Sequence, residues 1–146
     1  MLVGENRVGK SALIKALAEL CPEFAESHPY VPHRAMAVEY YGFFVNTPGE
    51  FLENRRFYRA LITTAAECHT ILMVQDSTRK SSLFPPGFAM SFNRKIIGVI
   101  TGMDKPESSL KRAERFLKQA GVRNVMPVSA DGKGLQELAT ELSECR

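Results

Sequence analysis

"VGENRVGKSALIKAL", residues 3–17, carries the spacing Gly4-x-x-x-x-Gly9-Lys10-Ser11. This is the pattern of a phosphate-binding loop. In such a loop the backbone N–H groups of Gly4, Glu5, Asn6, Arg7, Val8, Gly9, Lys10, Ser11 and Ala12 turn inward around an anion, and glycine stands where a side chain would block the approach. Lys10 is expected to reach the β- and γ-phosphates and Ser11 to offer its hydroxyl to Mg²⁺. The apolar run Met1–Val3 leads into the loop, and Leu13, Ala16, Leu17 and Leu20 follow at helical spacing, so the helix from Lys10 points its positive end at the anion. Strand, loop and helix in that order set the fold class as α/β.

The same alternation continues along the chain. Residues 21–34 hold three prolines and no period, which predicts a long surface loop. Two short strands, Met36–Tyr40 and Phe43–Asn46, should form a hairpin around Gly42. A helix is expected over Phe57–Cys68, then a doubly buried strand at Thr70–Gln75. In the connection Ser77–Arg94, Pro85-Pro86-Gly87 leaves room only for a short or distorted helix. Lys95–Thr101 reads as a second buried strand, Ser108–Ala120 as an amphipathic helix ended by Gly121, Asn124–Ser129 as a last strand and Gly134–Cys145 as a last helix. The expected architecture is one domain over residues 1–146, a three-layer α/β/α sandwich whose mostly parallel sheet carries one antiparallel edge strand. Ligands of such sheets sit beyond the carboxyl ends of the strands.

Composition narrows the function classes. Hydrophobic residues make up 45% and charged residues 24%, the balance of a globular chain, and no apolar run is long enough to span a bilayer. The opening "MLVGEN" has neither a basic segment nor an apolar signal core, so cytosolic residence is expected. A net charge of +3, spread along the chain, gives no concentrated basic footprint. Lys111, Arg112, Arg115 and Lys118 share one helix and are read as a solvated face, not a nucleic-acid site. Cys21, Cys68 and Cys145 are too scattered for disulfides or a metal site, and His28, His33 and His69 show no ligand spacing with them. Reduced, mostly buried thiols are expected.

A second phosphate contact follows a strand. "VNTPGEFLENRRFYRAL", residues 45–61, has the shape of the Asp-x-x-Gly segment of GTP-binding proteins, with the Gly49 N–H facing a γ-phosphate. Together with "LFPPGF" (residues 83–88) and "NRKIIGVIT" (residues 93–101), it resembles the EutP/PduV family, and its PduV branch more closely. These are P-loop proteins of bacterial microcompartments for ethanolamine and propanediol utilisation. The resemblance covers essentially the whole chain. It implies a Ras-like fold, GTP or GDP as ligand, Mg²⁺ as cofactor, microcompartment shell or enzyme components as partners, and an acetate kinase activity for the EutP branch.

The chain departs from that family at three supporting positions. Asn46 replaces the aspartate before Thr-Pro-Gly and removes the carboxylate that holds Mg²⁺ through its water shell, so the metal should be weakly held. Ala35 stands where a threonine could ligate Mg²⁺ and report the γ-phosphate. Thr101-Gly102-Met103-Asp104 matches the Asn/Thr-Lys-x-Asp guanine motif with Gly102 in place of lysine. Asp104 retains the carboxylate for the guanine N1–H and N2–H₂ edge, and the backbone of Ser129-Ala130-Asp131 would meet the guanine carbonyl. With Thr101, these are the expected base contacts.

Lys10 and Glu50 are the catalytic candidates. Glu50 follows Gly49 at the position that orients water in Ras-like proteins, and Arg55 and Arg56 follow on the same segment. Three classes of function follow: a guanine-nucleotide binder with weak or partner-dependent hydrolysis, an acetate-kinase-type phosphotransferase using ATP, and a non-catalytic microcompartment scaffold with a degenerate nucleotide site.

Overall fold

The computed structural model describes residues 1–25, 37–129 and 131–144. Its centre is a six-stranded sheet in the order β2-β3-β1-β4-β5-β6. The strands are β1 (Leu2–Val3), β2 (Glu39–Tyr41), β3 (Phe44–Asn46), β4 (Thr70–Asp76), β5 (Lys95–Thr101) and β6 (Asn124–Pro127). All neighbours pair in parallel except β2 and β3, which form the hairpin expected around Gly42, whose φ of 56° only glycine adopts freely. The sheet is mostly parallel with one antiparallel edge strand, as the sequence predicts.

Period-2 alternation sends side chains to two separate cores. Val3, Ile71 and Met73 face one side of the sheet, while Leu2, Leu72 and Val74 face the other. On the second side lie α1 (Lys10–Leu20) and α5 (Leu135–Glu144), which bury Leu13, Ile14, Leu17 and Leu138. The first side is covered by α3 (Tyr58–Ala65) and α4 (Leu110–Gln119) together with an aromatic cluster. This is the α/β P-loop NTPase fold, with helices on both faces.

That aromatic cluster explains two of the sequence segments at once. Phe88 packs edge-on against Tyr58 at 5.2 Å and Phe92 at 5.3 Å, and tilts over Phe84 at 6.0 Å. Phe51 and Phe57 stack at 5.1 Å in the same core. Residues 51–58 and the Phe-Pro-Pro-Gly-Phe segment therefore belong to one packing unit. A second unit holds the start of the chain's hairpin: Phe24, in the 3₁₀ turn Pro22–Ala25, lies edge-on to Phe43 and Phe44.

Several boundaries differ from the sequence reading, each for a local reason. The helix expected over 57–68 is present as α3, and the segment before it holds a short α2 (Glu50–Glu53) and a 3₁₀ turn Arg55–Phe57, where the Asn54 side chain accepts from the Arg56 N–H and turns the chain. Strand β6 stops at Pro127, whereas Ser129 had been expected as its end, and its α-helical successor begins one residue after Gly134. The crossover between β4 and β5 contains only the 3₁₀ turn Phe88–Ser91, in keeping with the Pro85-Pro86-Gly87 break. Ser109 caps α4 through the Arg112 N–H. Cys21 and Cys68 are free thiols and half-buried; Cys145 lies outside the described residues.

Phe88 is nearly fully buried among three rings. Phe88→Ala should lower stability by about 3–5 kcal/mol, read as a reduced urea midpoint with an unchanged denaturant slope.

Candidate functional site

The phosphate loop leaves β1 at Gly4, where a Cβ would lie 2.8 Å from the Val74 carbonyl oxygen and 2.9 Å from a Val8 methyl. No larger residue fits there. The loop then takes Arg7 through a φ of 65° and Gly9 through a φ of 97° before entering α1. Lys10 folds back over it, donating from Nζ to the carbonyls of Gly4 at 2.7 Å and Glu5 at 2.8 Å. Burial of the ammonium brings its pKa down to about 8, against the opposing pull of Glu53, Glu50 and Glu5.

Side chains from other strands brace the loop from outside. The Thr101 hydroxyl donates to the Val8 carbonyl at 2.7 Å. Glu5 is buried, and its carboxylate accepts from the Arg79 guanidinium at 3.0 Å and the Leu83 N–H at 3.1 Å, while Arg79 also donates to the Asn6 carbonyl at 3.0 Å. Arg79 and Leu83 were not among the sequence candidates. The available signal was position: both belong to the segment that follows β4 at the carboxyl end of the sheet.

The segment after β3 closes on the same loop. Thr47 donates to the Leu2 carbonyl from both its hydroxyl and its N–H. Asn46 is buried, with Nδ2 3.5 Å from Ser11 Oγ and Oδ1 without a hydrogen-bond partner. A Cβ on Gly49 would fall 2.3 Å from the Asn6 nitrogen, so the close approach of the two segments needs glycine. Asn6 then reaches α2: its amide Nδ2 donates to Glu50 Oε1 at 3.2 Å and Glu53 Oε2 at 3.3 Å, and its backbone N–H donates to Glu53 Oε1 at 3.2 Å. Between the loop and this segment lies a cavity of about 450 Å³ lined by Lys10, Ser11, Asn46, Gly49 and Glu50.

A second cavity, of about 440 Å³, adjoins it across Arg7, Gly9 and Ala12, and its far wall includes Thr101, Gly102, Asp104 and Ser129. Gly102 has a φ of 75°, and a Cβ there would lie 2.7 Å from Asp76 Oδ1. Asp76 is itself anchored by the Thr78 N–H at 2.9 Å and hydroxyl at 2.8 Å. A side chain at position 102 would therefore meet the Asp76 carboxylate. Asp104 stands exposed on the rim. The exposed Asp131 does not line this cavity: its carboxylate accepts from the Ser129 hydroxyl, which holds it below the usual carboxylate range, and from the Lys133 N–H at 3.2 Å.

Other candidates are placed apart from these cavities. Arg55 and Arg56 are exposed, and Arg56 sits 5.9 Å from the Phe57 ring centroid. On α4, Lys118 pairs with Glu114 at 2.8 Å and Arg112 donates to the Ser77 carbonyl at 3.2 Å. Among the described residues no group of three or more His, Cys, Asp or Glu side chains could hold a metal ion, and no helix is long and apolar enough to cross a membrane. Ala35, Ala130, His28 and His33 lie outside the described residues.

A phosphate-binding loop braced at the carboxyl end of a mostly parallel sheet defines a P-loop protein of the α/β class. The chain belongs to the PduV-EutP family, "Ethanolamine utilisation - propanediol utilisation", whose profile matches residues 1–144. It is 32% identical over 140 residues to the propanediol utilization protein PduV of Citrobacter freundii, covering 94% of this chain and 88% of that one. It is 29% identical over 124 residues to the probable acetate kinase EutP of Salmonella typhimurium, covering 83% and 72%. For the probable acetate kinase EutP of Escherichia coli K12 the identity is 26% over 145 residues, covering 97% and 86%.

Because position 102 combines a positive φ with the Asp76 contact, Gly102→Lys should destabilise the protein by about 1–3 kcal/mol, visible as a lower melting temperature. Gly102→Lys combined with Asp76→Ala relieves the contact and should recover part of that loss.

Proposed function

We propose that this chain binds a guanine nucleotide, with the phosphates in the Gly4–Ser11 loop and the base in the adjoining cavity beside Asp104 and Ser129. The observation that carries this reading is that Arg7, Gly9 and Ala12 line both cavities, which places the two side by side. One supplies a cationic, amide-lined cradle; the other supplies a carboxylate for a donor edge that guanine has and adenine lacks. A charge-assisted contact of that kind is worth about 1.5–3 kcal/mol, enough for a guanine preference of roughly tenfold or more.

Ser11 and Asn46 would hold the Mg²⁺ that accompanies nucleotide phosphates. Asn46 is buried with its Oδ1 partnerless and its Nδ2 3.5 Å from Ser11 Oγ, so the two side chains adjoin and each carries an oxygen of the hard type this cation takes. When bound, the ion neutralises charge between phosphate oxygens. Neither protein donor carries a charge, so the cation should bind weakly. Gly49 N–H would meet the terminal phosphate, Lys10 would span the β- and γ-oxygens, and Glu50 would orient a water or an acceptor.

Hydrolysis on this reading is slow, or is accelerated by a partner that adds an arginine, an effect of 10³–10⁵ where it operates. The setting is a bacterial microcompartment for propanediol or ethanolamine utilisation, with shell or enzyme components as partners. A phosphotransferase reading is favoured by one observation, the likeness to proteins named probable acetate kinase. Acetyl phosphate formed from acetate and ATP would establish it. A scaffold with an emptied site would bind microcompartment components and no nucleotide.

Fluorescence titration of nucleotide-stripped protein with labelled GDP, GTP and ATP tests the first reading. Guanine-selective binding is expected, and Lys10→Ala should weaken it at least a hundredfold; normal binding by that variant refutes the cradle assignment. The pH dependence follows from Lys10. Its ammonium is charged below a pKa of about 8 in the free protein, and phosphate favours the charged form. Affinity should therefore be level below pH 7 and fall about tenfold between pH 7 and 9.

A further inference from the structure

The edge of the cradle at Asn6 and Gly49 is bordered by the protein's own carboxylates, Glu50 on the cavity wall and Glu53 exposed beside it. The Asn6 N–H, a loop amide of the kind that faces phosphate, is already donated to Glu53 Oε1 at 3.2 Å. The Asn6 side chain grips the second oxygen of Glu53 at 3.3 Å and Oε1 of Glu50 at 3.2 Å. Glu50 and Glu53 are three apart in α2 and share one face of its single turn. Gly49, pressed on Asn6 with no room for a Cβ, fixes the start of that turn against the loop.

We infer that Glu53, latched by Asn6, is a specificity residue that makes this site take a nucleoside diphosphate in preference to the corresponding triphosphate. The inference rests on the reading of Gly4–Ser11 as a nucleotide phosphate cradle. A diphosphate ends at the positions served by Lys10 and Ser11 and leaves the latch closed. A triphosphate carries another charged group to the place where Gly49 meets Asn6, next to two carboxylates. It must open the latch to reach the Asn6 and Gly49 amides, and like-charge juxtaposition opposes it until the latch is open.

The strength of the discrimination follows from the exposure of the latch. Glu53 is solvent-exposed and its bonds to Asn6 are 3.2 and 3.3 Å long, so the latch is weak and screened. A preference of about tenfold is expected, well short of exclusion. Glu50 sits half-buried on the cavity wall and stays near the terminal phosphate when Glu53 swings out, so part of the preference survives removal of Glu53.

The test is calorimetric titration of the nucleotide-stripped full chain with GDP and the β,γ-imido analogue of GTP, and with ADP and its analogue, all with Mg²⁺. Wild-type protein should bind the diphosphate about tenfold more tightly. Glu53→Gln keeps the size of the side chain and removes its charge, and should narrow the ratio to about twofold, chiefly by tighter triphosphate binding. Asn6→Ala removes the side-chain grip and should narrow it in the same direction, so the prediction does not hang on one variant. A wild-type ratio near one, or a ratio that neither substitution changes, overturns the inference while leaving the cradle in place. Failure of every nucleotide to bind wild-type protein overturns both.

Discussion

The carbonyl of Leu2 accepts two hydrogen bonds from Thr47, one from the hydroxyl at 2.7 Å and one from the N–H at 3.2 Å. The phosphate loop depends on that clasp. Its strand, β1, has only two residues in the middle of a six-stranded sheet, where a strand of about five is usual. Two residues cannot hold an eight-residue loop against a charged ligand by ladder hydrogen bonds alone. The supporting bonds come from side chains on neighbouring segments: Thr47 after β3, Arg79 after β4 and Thr101 at the end of β5. Each meets a backbone carbonyl or the Glu5 carboxylate that would otherwise be a buried unsatisfied acceptor.

These braces also set the electrostatics. Glu5 enters the loop as a buried acid because Arg79 pairs with it, and its carboxylate then serves as an acceptor for Leu83, drawing the start of the Phe-Pro-Pro-Gly-Phe segment onto the site. From there the Phe84, Phe88 and Tyr58 rings lead back to α3. The helix turn carrying Glu50 and Glu53 is thereby held from two sides, by Asn6 at the loop and by Phe51 and Leu52 in the aromatic core. The loop is thus ringed by three acids, Glu5, Glu50 and Glu53. Its lysine is buried, partly desolvated and oriented by carbonyls, and an anionic ligand that replaces those carbonyls restores what burial takes away.

Much of this was legible in the sequence, because hydrophobic period and glycine placement are local. The order of elements, the hairpin at Gly42 and the short crossover after Pro85 all follow from residues within a few positions of the feature. The loop residues and the segment from Asn46 to Gly49 were likewise marked by spacing. What escaped were contacts between side chains far apart in the chain. Arg79 reaches Glu5 across 74 positions and Thr101 reaches Val8 across 93. Neither residue type signals its partner until the topology brings β1, β4 and β5 side by side. The short α2 and the 3₁₀ turn after Asn54 escaped for the opposite reason: they rest on short-range bonds, one of them to the Asn54 side chain, and apolar spacing alone does not register them.

The departures from the usual guanine-nucleotide pattern are built into their surroundings. At position 102 the backbone turns through the left-handed region and the Asp76 carboxylate fills the space a Cβ would need, so a lysine stem has no room to start. Asp76 in turn cannot withdraw without releasing the Thr78 N–H and hydroxyl. Position 49 shows the same coupling, since the glycine is required by the approach of Asn6, and Asn6 is the residue that holds Glu50 and Glu53. Here the space at Gly102 and the approach at Gly49 are both filled by neighbouring groups. Asn46 differs: its buried Oδ1 has no partner, while its Nδ2 lies 3.5 Å from Ser11 Oγ. Gly102 is thus closed in by protein while Asn46 keeps an unpartnered buried oxygen, so the altered positions differ in how their surroundings meet them.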